Sequence, residues 1–249
     1  MRTIVITGAS SGIGRATALR FAAAGDHVIN LDIKEPEPDG GVRLPWRQLD
    51  TADWSAVAEA LADVRRERGR LDVVIANAGI SVRHGVLDIQ EKDARRITDV
   101  NLLGVLGVWQ AAARIMVEQG HGVLLATASV NGRRGYPHYA DYNATKAGIF
   151  ALTQTFALEL SPLVRVACVS PGGVLTPMQL AEYTDEMLAD TNARIPAGRH
   201  ADPAEIAAAF FYLASADAAF LTGQELVVDG GETAGATTSA YGTAVRAGS

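Results

Sequence analysis

Thr3-Ile4-Val5-Ile6-Thr7-Gly8-Ala9-Ser10-Ser11-Gly12-Ile13-Gly14 opens the chain with a β-branched run that turns through a glycine-rich loop into a helix. Glycines at these positions allow a tight turn and let the backbone approach a pyrophosphate, whose charge the helix N-terminus then meets. Such a loop is weak evidence alone. It gains weight from Asp32, which ends the next β-branched run about 20 residues further on, where a carboxylate accepts hydrogen bonds from an adenosine ribose. Strand, glycine loop, helix, strand and acid in this order predict a dinucleotide site. Asp32 also repels a 2′-phosphate, and neither Ser11 nor Ile33 supplies a cation to pair with one, so the expected cofactor is NAD rather than NADP.

Outward from this loop, short Val/Ile/Leu-rich runs at 3–6, 28–31, 71–75, 123–127, 164–169 and 225–228 alternate with helix-length segments. Repeated βαβ units of this kind build a parallel sheet, and strands with little polar alternation are covered on both faces. The expected fold is therefore a single-domain α/β, Rossmann-type doubly wound parallel sheet flanked by helices on both faces. Helix signals support it. Asp202-Pro203-Ala204-Glu205 reads as a capping box with proline at the first helical position, starting a helix to about residue 215. A helix from about Asp53 carries Val57, Leu61 and Val64 on one face and ends in the solvated run Arg65-Arg66-Glu67-Arg68, and another spans 99–117. Residues 33–49 hold Pro36, Pro38, Gly40, Gly41 and Pro45, which makes a long helix there unexpected although a parallel neighbour requires a crossover.

The 249 residues, 48% hydrophobic and 20% charged, suit one large domain. A net charge of -6 argues against nucleic acid or an anionic membrane as the main partner. No stretch reads as a membrane span or a signal peptide, and the lone Cys168 in an apolar strand suits a reducing compartment, so a cytoplasmic protein acting on a small molecule is expected. His27, His84, His121, His138 and His200 show no ligand spacing with one another or with Cys168, so no metal is expected. Residues 1–233 form the expected dinucleotide-binding and catalytic domain. The Gly/Ala/Thr-rich tail at 234–249 has little to bury and is read as mobile or ordered against another subunit.

Chemistry is expected at Tyr142 and Lys146, which lie four apart and so share a helix face, with Ser129 upstream. A phenol of pKa about 10 is a poor base at neutral pH, and an adjacent ammonium stabilises its ionised form. These residues resemble the short-chain dehydrogenase/reductase family in its compact single-domain branch, over nearly the whole chain. The family's cofactor loop is matched by Thr7, Gly8, Gly12 and Gly14, with Ser11 and Ile13 between, and its Asn-Ala-Gly by Asn77, Ala78 and Gly79. Its catalytic set looks like Asn101, Ser129, Tyr142 and Lys146, and its nicotinamide-side Pro-Gly segment like Pro171, Gly172, Val174 and Thr176. Asp50 resembles the acid beside the adenine, and reads equally as a helix cap. The sequence departs from the pattern at Ala76, at Ser170 and in the missing helix between Asp32 and Asp50.

The resemblance implies an NAD-dependent oxidoreductase interconverting a secondary alcohol or diol and its ketone. Tyr142 would be the acid/base, Ser129 would hold the substrate oxygen, Lys146 would lower the phenol pKa and reach the nicotinamide ribose, and Asn101 would hold a water linking Lys146 to solvent. It also implies a homo-oligomer, a tetramer or dimer. Substrate contacts are expected from 80–86, 130–141 and an apolar lid at about 173–200, with Ser129, His138, Tyr139, Arg83 and Met178 as candidates. Arg83, His84, Arg133, Arg134 and His138 suit an anionic or polyhydroxylated substrate, or are plain solvated surface. Two rival functions stand beside this one. Gly8-Ala9-Ser10-Ser11-Gly12 also fits a hydrolase nucleophile elbow, although little chain precedes it to build an oxyanion hole, and the same fold can serve as a non-catalytic NAD-binding sensor or structural subunit.

Overall fold

The computed structural model describes residues 1–36 and 44–235. Seven strands form one parallel sheet: β1 (Thr3–Thr7), β2 (His27–Asp32), β3 (Trp46–Gln48), β4 (Val73–Ala76), β5 (Gly122–Thr127), β6 (Val164–Pro171) and β7 (Gln224–Val228), in the order β3-β2-β1-β4-β5-β6-β7. Their side chains alternate between two cores. Val5, Ile29, Leu31, Val74, Leu124 and Val166 face one, packed by α2 (Trp54–Arg68), α4 (Gly104–Gln119) and α5 (Ala140–Leu160). Ile4, Ile6, Val28, Ile75, Leu125 and Val169 face the other, packed by α1 (Gly12–Ala23) and α8 (Pro203–Leu213). Both cores are apolar, which is why the strands read as nearly continuous hydrophobic runs. The strand order reverses beside β1, and the crevice at the carboxyl ends of β1 and β4 is where such sheets bind ligands.

Local signals account for much of the frame. Asp202 accepts from Ala204 N at 2.7 Å while Glu205 Oε2 accepts from Asp202 N at 2.8 Å, the reciprocal capping box expected for α8. Asp53 caps α2 through Ala56 N at 3.0 Å, and Val57, Leu61 and Val64 are fully buried. Three sequence expectations are revised. Segment 33–49 returns to the sheet as β3, paired with β2 through Asn30 and Trp46, Leu31 and Arg47, and Asp32 and Gln48; its residues 37–43 lie outside the described residues, as do 236–249 of the tail. The helix expected at 99–117 is part of a continuous run, Glu91–Gln119, made of α3 (Glu91–Thr98), a π-helical turn (Asp99–Leu103) and α4. That run is long and apolar enough to cross a membrane, contrary to the sequence expectation, but Val105, Val108, Trp109, Ala112 and Met116 are buried within the domain, which marks a core helix.

Candidate active site

The dinucleotide loop is built by close approach. Gly8 takes a positive φ of 68°, and a Cβ there would stand 2.7 Å from Ala78 Cα. Asn77, at the end of β4, staples the loop: its Nδ2 donates to Thr7 O and Gly8 O at 3.1 Å each, and Thr7 Oγ1 accepts from Asn77 N and Ala78 N at 3.0 Å each. Ser11, the residue before α1, makes no side-chain cap, which leaves first-turn amides of the helix for an anion. From this loop a cavity of about 300 Å³ runs past Gly8, Ser11, Gly12, Ile13, Asp32, Asp50, Asn77, Ala78 and Gly79 to Tyr142, Lys146, Thr176 and Met178.

Asp32 accepts from Ser10 N at 2.9 Å and Lys34 N at 3.0 Å, which aims its carboxylate along the cleft and leaves further lone pairs for a ribose. Burial would raise the Asp50 carboxyl, but hydrogen bonds from Ala52 N and Arg96 hold it below its ordinary value. Asp50 therefore lines the cleft as an anion, and the cap of α2 is Asp53. A glycine-cradled, uncapped helix start with an acid at the end of β2 fits a nicotinamide dinucleotide.

At the far end of the cleft Tyr142, in the first turn of α5, lines both this cavity and a second one of about 110 Å³. Ser129, just after β5, lines the second cavity and hydrogen-bonds the phenol. Lys146 is buried one turn along α5, its Nζ donating to Thr127 O at 2.7 Å and lying 5.5 Å from the centre of the Tyr142 ring. The expected lowering of the phenol pKa by this ammonium is not what the geometry gives. Burial pushes the Tyr142 phenol up to about 12, the Ser129 hydrogen bond opposing and the Glu182 charge adding, and burial draws Lys146 down to about 8. The ammonium faces the ring and a carbonyl, so burial dominates both groups.

Asn101 falls in the π-helical turn, fully buried. Its Oδ1 accepts from Ile80 N and its Nδ2 donates to Ile80 O, both at 2.8 Å, with Thr145 Oγ1 at 3.5 Å from Nδ2. It thereby clamps the loop after β4. A Cβ on Gly79 would stand 3.4 Å from Asn101 Oδ1 and 3.6 Å from Lys146 Nζ, ordinary contact distances, so Gly79 lies in the corner between these two side chains.

Other candidates divide. Gly14 does not line the cavity but sits beneath the loop, where a Cβ would collide with Gly8 O and Asn77 Nδ2. Pro171 ends β6, Val174 is buried against Ala201, and Gly172 lines the second cavity, so these three border the site without lining the cofactor cleft. Tyr139 and Met178 line the second cavity as expected. Arg83 and His138 do not: both are exposed to solvent outside its lining, His138 at a φ of 72°. His84 pairs with Asp141 at 3.0 Å, and Arg133 pairs with Glu225 at 2.7 Å. Ser10 Oγ donates to Lys34 O and accepts from Asn30 Nδ2, so its proton goes to a carbonyl and not to a histidine, and the nucleophile-elbow reading fails.

Sequence reasoning reached Asn131, Tyr136, Gln179 and Glu182 in the second cavity only through the segments 130–141 and 173–200, without singling them out, and missed Glu232 there and Lys34 and Arg96 in the first. Only Lys34, beside Asp32, had a local signal. Among the described residues no group of three or more His, Cys, Asp or Glu is placed to hold a metal ion.

Comparison with known proteins agrees with this geometry. Residues 8–233 match the family model described as enoyl-(acyl carrier protein) reductase. The 3-oxoacyl-acyl-carrier-protein reductase of Thermotoga maritima is 37% identical over 240 residues, 92% of this chain and 97% of that protein. Ligand-free aldohexose dehydrogenase of Thermoplasma acidophilum superposes with a TM-score of 0.89 at 29% identity over 96% of each chain. A provisionally assigned NAD(P)-dependent gluconate 5-dehydrogenase from Beutenbergia cavernae, solved with NADP at low occupancy, gives 0.88 at 34% identity over 94% of this chain and 97% of that one. With loop, acid, serine, tyrosine and lysine in place on a doubly wound sheet, the chain belongs to the short-chain dehydrogenase/reductase family, oxidoreductases of alcohol and ketone groups that bind a nicotinamide dinucleotide.

Proposed function

We propose that this protein is an NAD-dependent oxidoreductase interconverting a small secondary alcohol and its ketone, with Tyr142 as the proton-transferring group. The observation that carries the reading is the position of Tyr142 between the dinucleotide cleft and the second cavity, hydrogen-bonded to Ser129 and backed by Lys146. Bound nicotinamide supplies the hydride acceptor for oxidation and, reduced, the hydride donor for the reverse. Ser129 orients the substrate oxygen toward Tyr142. At neutral pH the phenol is protonated, the form that donates to a carbonyl; in the oxidative direction it accepts the alcohol proton only after shedding its own. Alcohol oxidation should therefore quicken as pH rises, and ketone reduction should not.

NAD is favoured by Asp32, a carboxylate in the lining of the cleft that would repel a 2′-phosphate, although Lys34 adjoins it. We extend the reading to a cytoplasmic homo-oligomer; the exposure of Leu158 on α5 and of Phe220 before β7 supports the oligomer alone. The test is turnover of secondary alcohols, diols and their ketones with NAD and NADP, followed at the nicotinamide absorbance band. Tyr142→Phe should lose on the order of 10²–10⁴-fold in kcat and keep NADH binding. Asp32→Ala should weaken NAD and narrow its advantage over NADP. Wild-type protein that binds NADH but turns over nothing in the panel would leave a sensor in place of an enzyme.

A further inference from the structure

The second cavity, on the substrate side of Tyr142, has a wall chemistry unlike that of an apolar alcohol site. Val130, Met178 and the rings of Tyr136, Tyr139, Tyr142 and Tyr183 are interleaved with Ser81, Ser129, Asn131, Gln179 and Thr191, and among the described residues no Arg, Lys or His lines it. Two carboxylates do, Glu182 from α6 (Pro177–Glu182) in the lid and Glu232 from the segment after β7. Each is held in place by phenols and hydroxyls of the domain body. Glu182 Oε1 accepts from Ser81 Oγ at 2.5 Å and its Oε2 from Tyr139 OH at 2.6 Å. Glu232 Oε1 accepts from Tyr136 OH and, at 3.3 Å, from Arg134 Nη2.

A carboxylate accepts about four hydrogen bonds, so each retains unused acceptor sites. Among the described residues Glu232 Oε2 has no hydrogen-bonded partner, and it lies over Gly172, at 2.8 Å from where a Cβ would be, in the wall of the cavity. Asn131 and Gln179 add amide groups to the same walls. Of the basic residues suggested by the sequence for an anionic substrate, His84 is paired with Asp141, Arg133 with Glu225 and Arg134 with Glu232 itself, while Arg83 and His138 do not line the cavity.

Resting on the dehydrogenase reading above, we infer that the substrate is a small neutral polyol, or its hydroxyketone, whose hydroxyls beside the reacting carbon donate to Glu182 and Glu232. Three features converge on this class. Spare carboxylate lone pairs want hydroxyl donors and repel a carboxylate or phosphate, which excludes hydroxy acids. The carboxylates already share their charge with Arg134 and the bound phenols, so the cavity offers acceptors more than bare negative charge, which favours a neutral donor over an ammonium. The cavity of about 110 Å³, at about 10–15 Å³ for one water, takes roughly seven to eleven non-hydrogen groups, which matches the roughly eight to ten of a polyol of about four or five carbons. In the oxidative direction the carbinol C–H bond breaks with its electron pair passing to NAD⁺ and the O–H proton leaving through Tyr142, giving hydroxyketone, NADH and H⁺.

The experiment compares kcat/KM with NAD⁺ for glycerol, erythritol, ribitol and glucitol against cyclohexanol, 3-hydroxybutyrate and a protonated amino alcohol, in wild type, Glu182→Gln and Glu232→Gln. Expected is a preference for one of the polyols in wild type. In each variant the ratio of polyol to cyclohexanol kcat/KM should fall on the order of 10-fold to 100-fold, mainly through KM, as for a lost bond to a charged acceptor. The hydroxy acid should gain relative to the polyol in the same variants. Should Glu182→Gln unlatch the lid, Glu232→Gln, on a separate segment, carries the same test. A wild-type preference for the hydroxy acid, the amino alcohol or cyclohexanol, or a ratio unmoved by both substitutions, overturns the inference while leaving the dehydrogenase intact. Absence of turnover with every alcohol overturns both.

Discussion

Replacing Gly14 by alanine tests whether the dinucleotide loop is held as described. Gly14 lies at the start of α1 without a positive φ, so alanine adopts the backbone freely and even has the better helix propensity. The cost is steric alone. The new methyl collides with Gly8 O and Asn77 Nδ2 and would stand 2.9 Å from Gly8 C. Asn77 Nδ2 cannot swing aside without giving up its bonds to Thr7 O and Gly8 O, each 3.1 Å. Two hydrogen bonds at about 1 kcal/mol each, plus about 1–3 kcal/mol for overpacking a tight site, give on the order of 3–5 kcal/mol.

Gly25→Ala is the counterpart, with a φ of 84° and nothing within 4 Å of the added methyl, so only backbone strain of about 1–2 kcal/mol is expected. Urea denaturation of both variants measures the two costs, and NADH fluorescence titration measures the damage to the loop, which should appear in Gly14→Ala alone. Gly14→Ala within about 1 kcal/mol of wild type and binding NADH normally would show that Asn77 does not staple the loop and that the steric reasoning is wrong.

Burial holds Lys146 at about 8 against 10.5 for the free side chain. Below about pH 8 folded and unfolded states both carry the charge and folding bears the whole penalty, on the order of 3 kcal/mol; between about 8 and 10.5 the folded amine has released its proton while the unfolded one has not, and the penalty lifts. Wild type should thus gain stability relative to Lys146→Met across that interval, and urea midpoints giving a constant difference between pH 7 and 10.5 would count against it. Asp202→Ala removes the acceptor of the α8 capping box and should cost about 0.5–2 kcal/mol, read from the same denaturation curves. A double change, Leu158→Glu with Phe220→Lys, should lower the mass seen by light scattering if these exposed apolar groups meet a second copy; an unchanged mass would send the search for an interface elsewhere.

Elements set by local chemistry were legible from sequence. The capping box at Asp202, the glycine turn after β1 and the acid at the end of β2 each depend on neighbours a few residues away. β3 was not, because Trp46-Arg47-Gln48 carries no apolar run and is extended only through pairing with β2. The π-helical turn at Asn101 likewise has no compositional mark. Within the site, Tyr142, Ser129 and Lys146 could be picked out from their spacing and the family resemblance, but the sign of the phenol shift depends on how densely distant segments bury it. Glu182 and Glu232 come from the lid and from beyond β7, 50 residues apart in sequence, and only the folded chain brings them to one cavity. Arg83 and His138 misled for the converse reason, since loop membership does not say which way a side chain turns.

The outermost strand on the β2 side also has a consequence for how the protein behaves at high concentration. β3 is three residues long, follows directly on Pro45, and has Arg47 in salt bridges to Asp63 and Glu67. Unpaired amides at a sheet margin are the template on which foreign chains stack into fibrils, and brevity, proline and charge are the features that deny it. That flank of the molecule is accordingly shielded from cross-β growth.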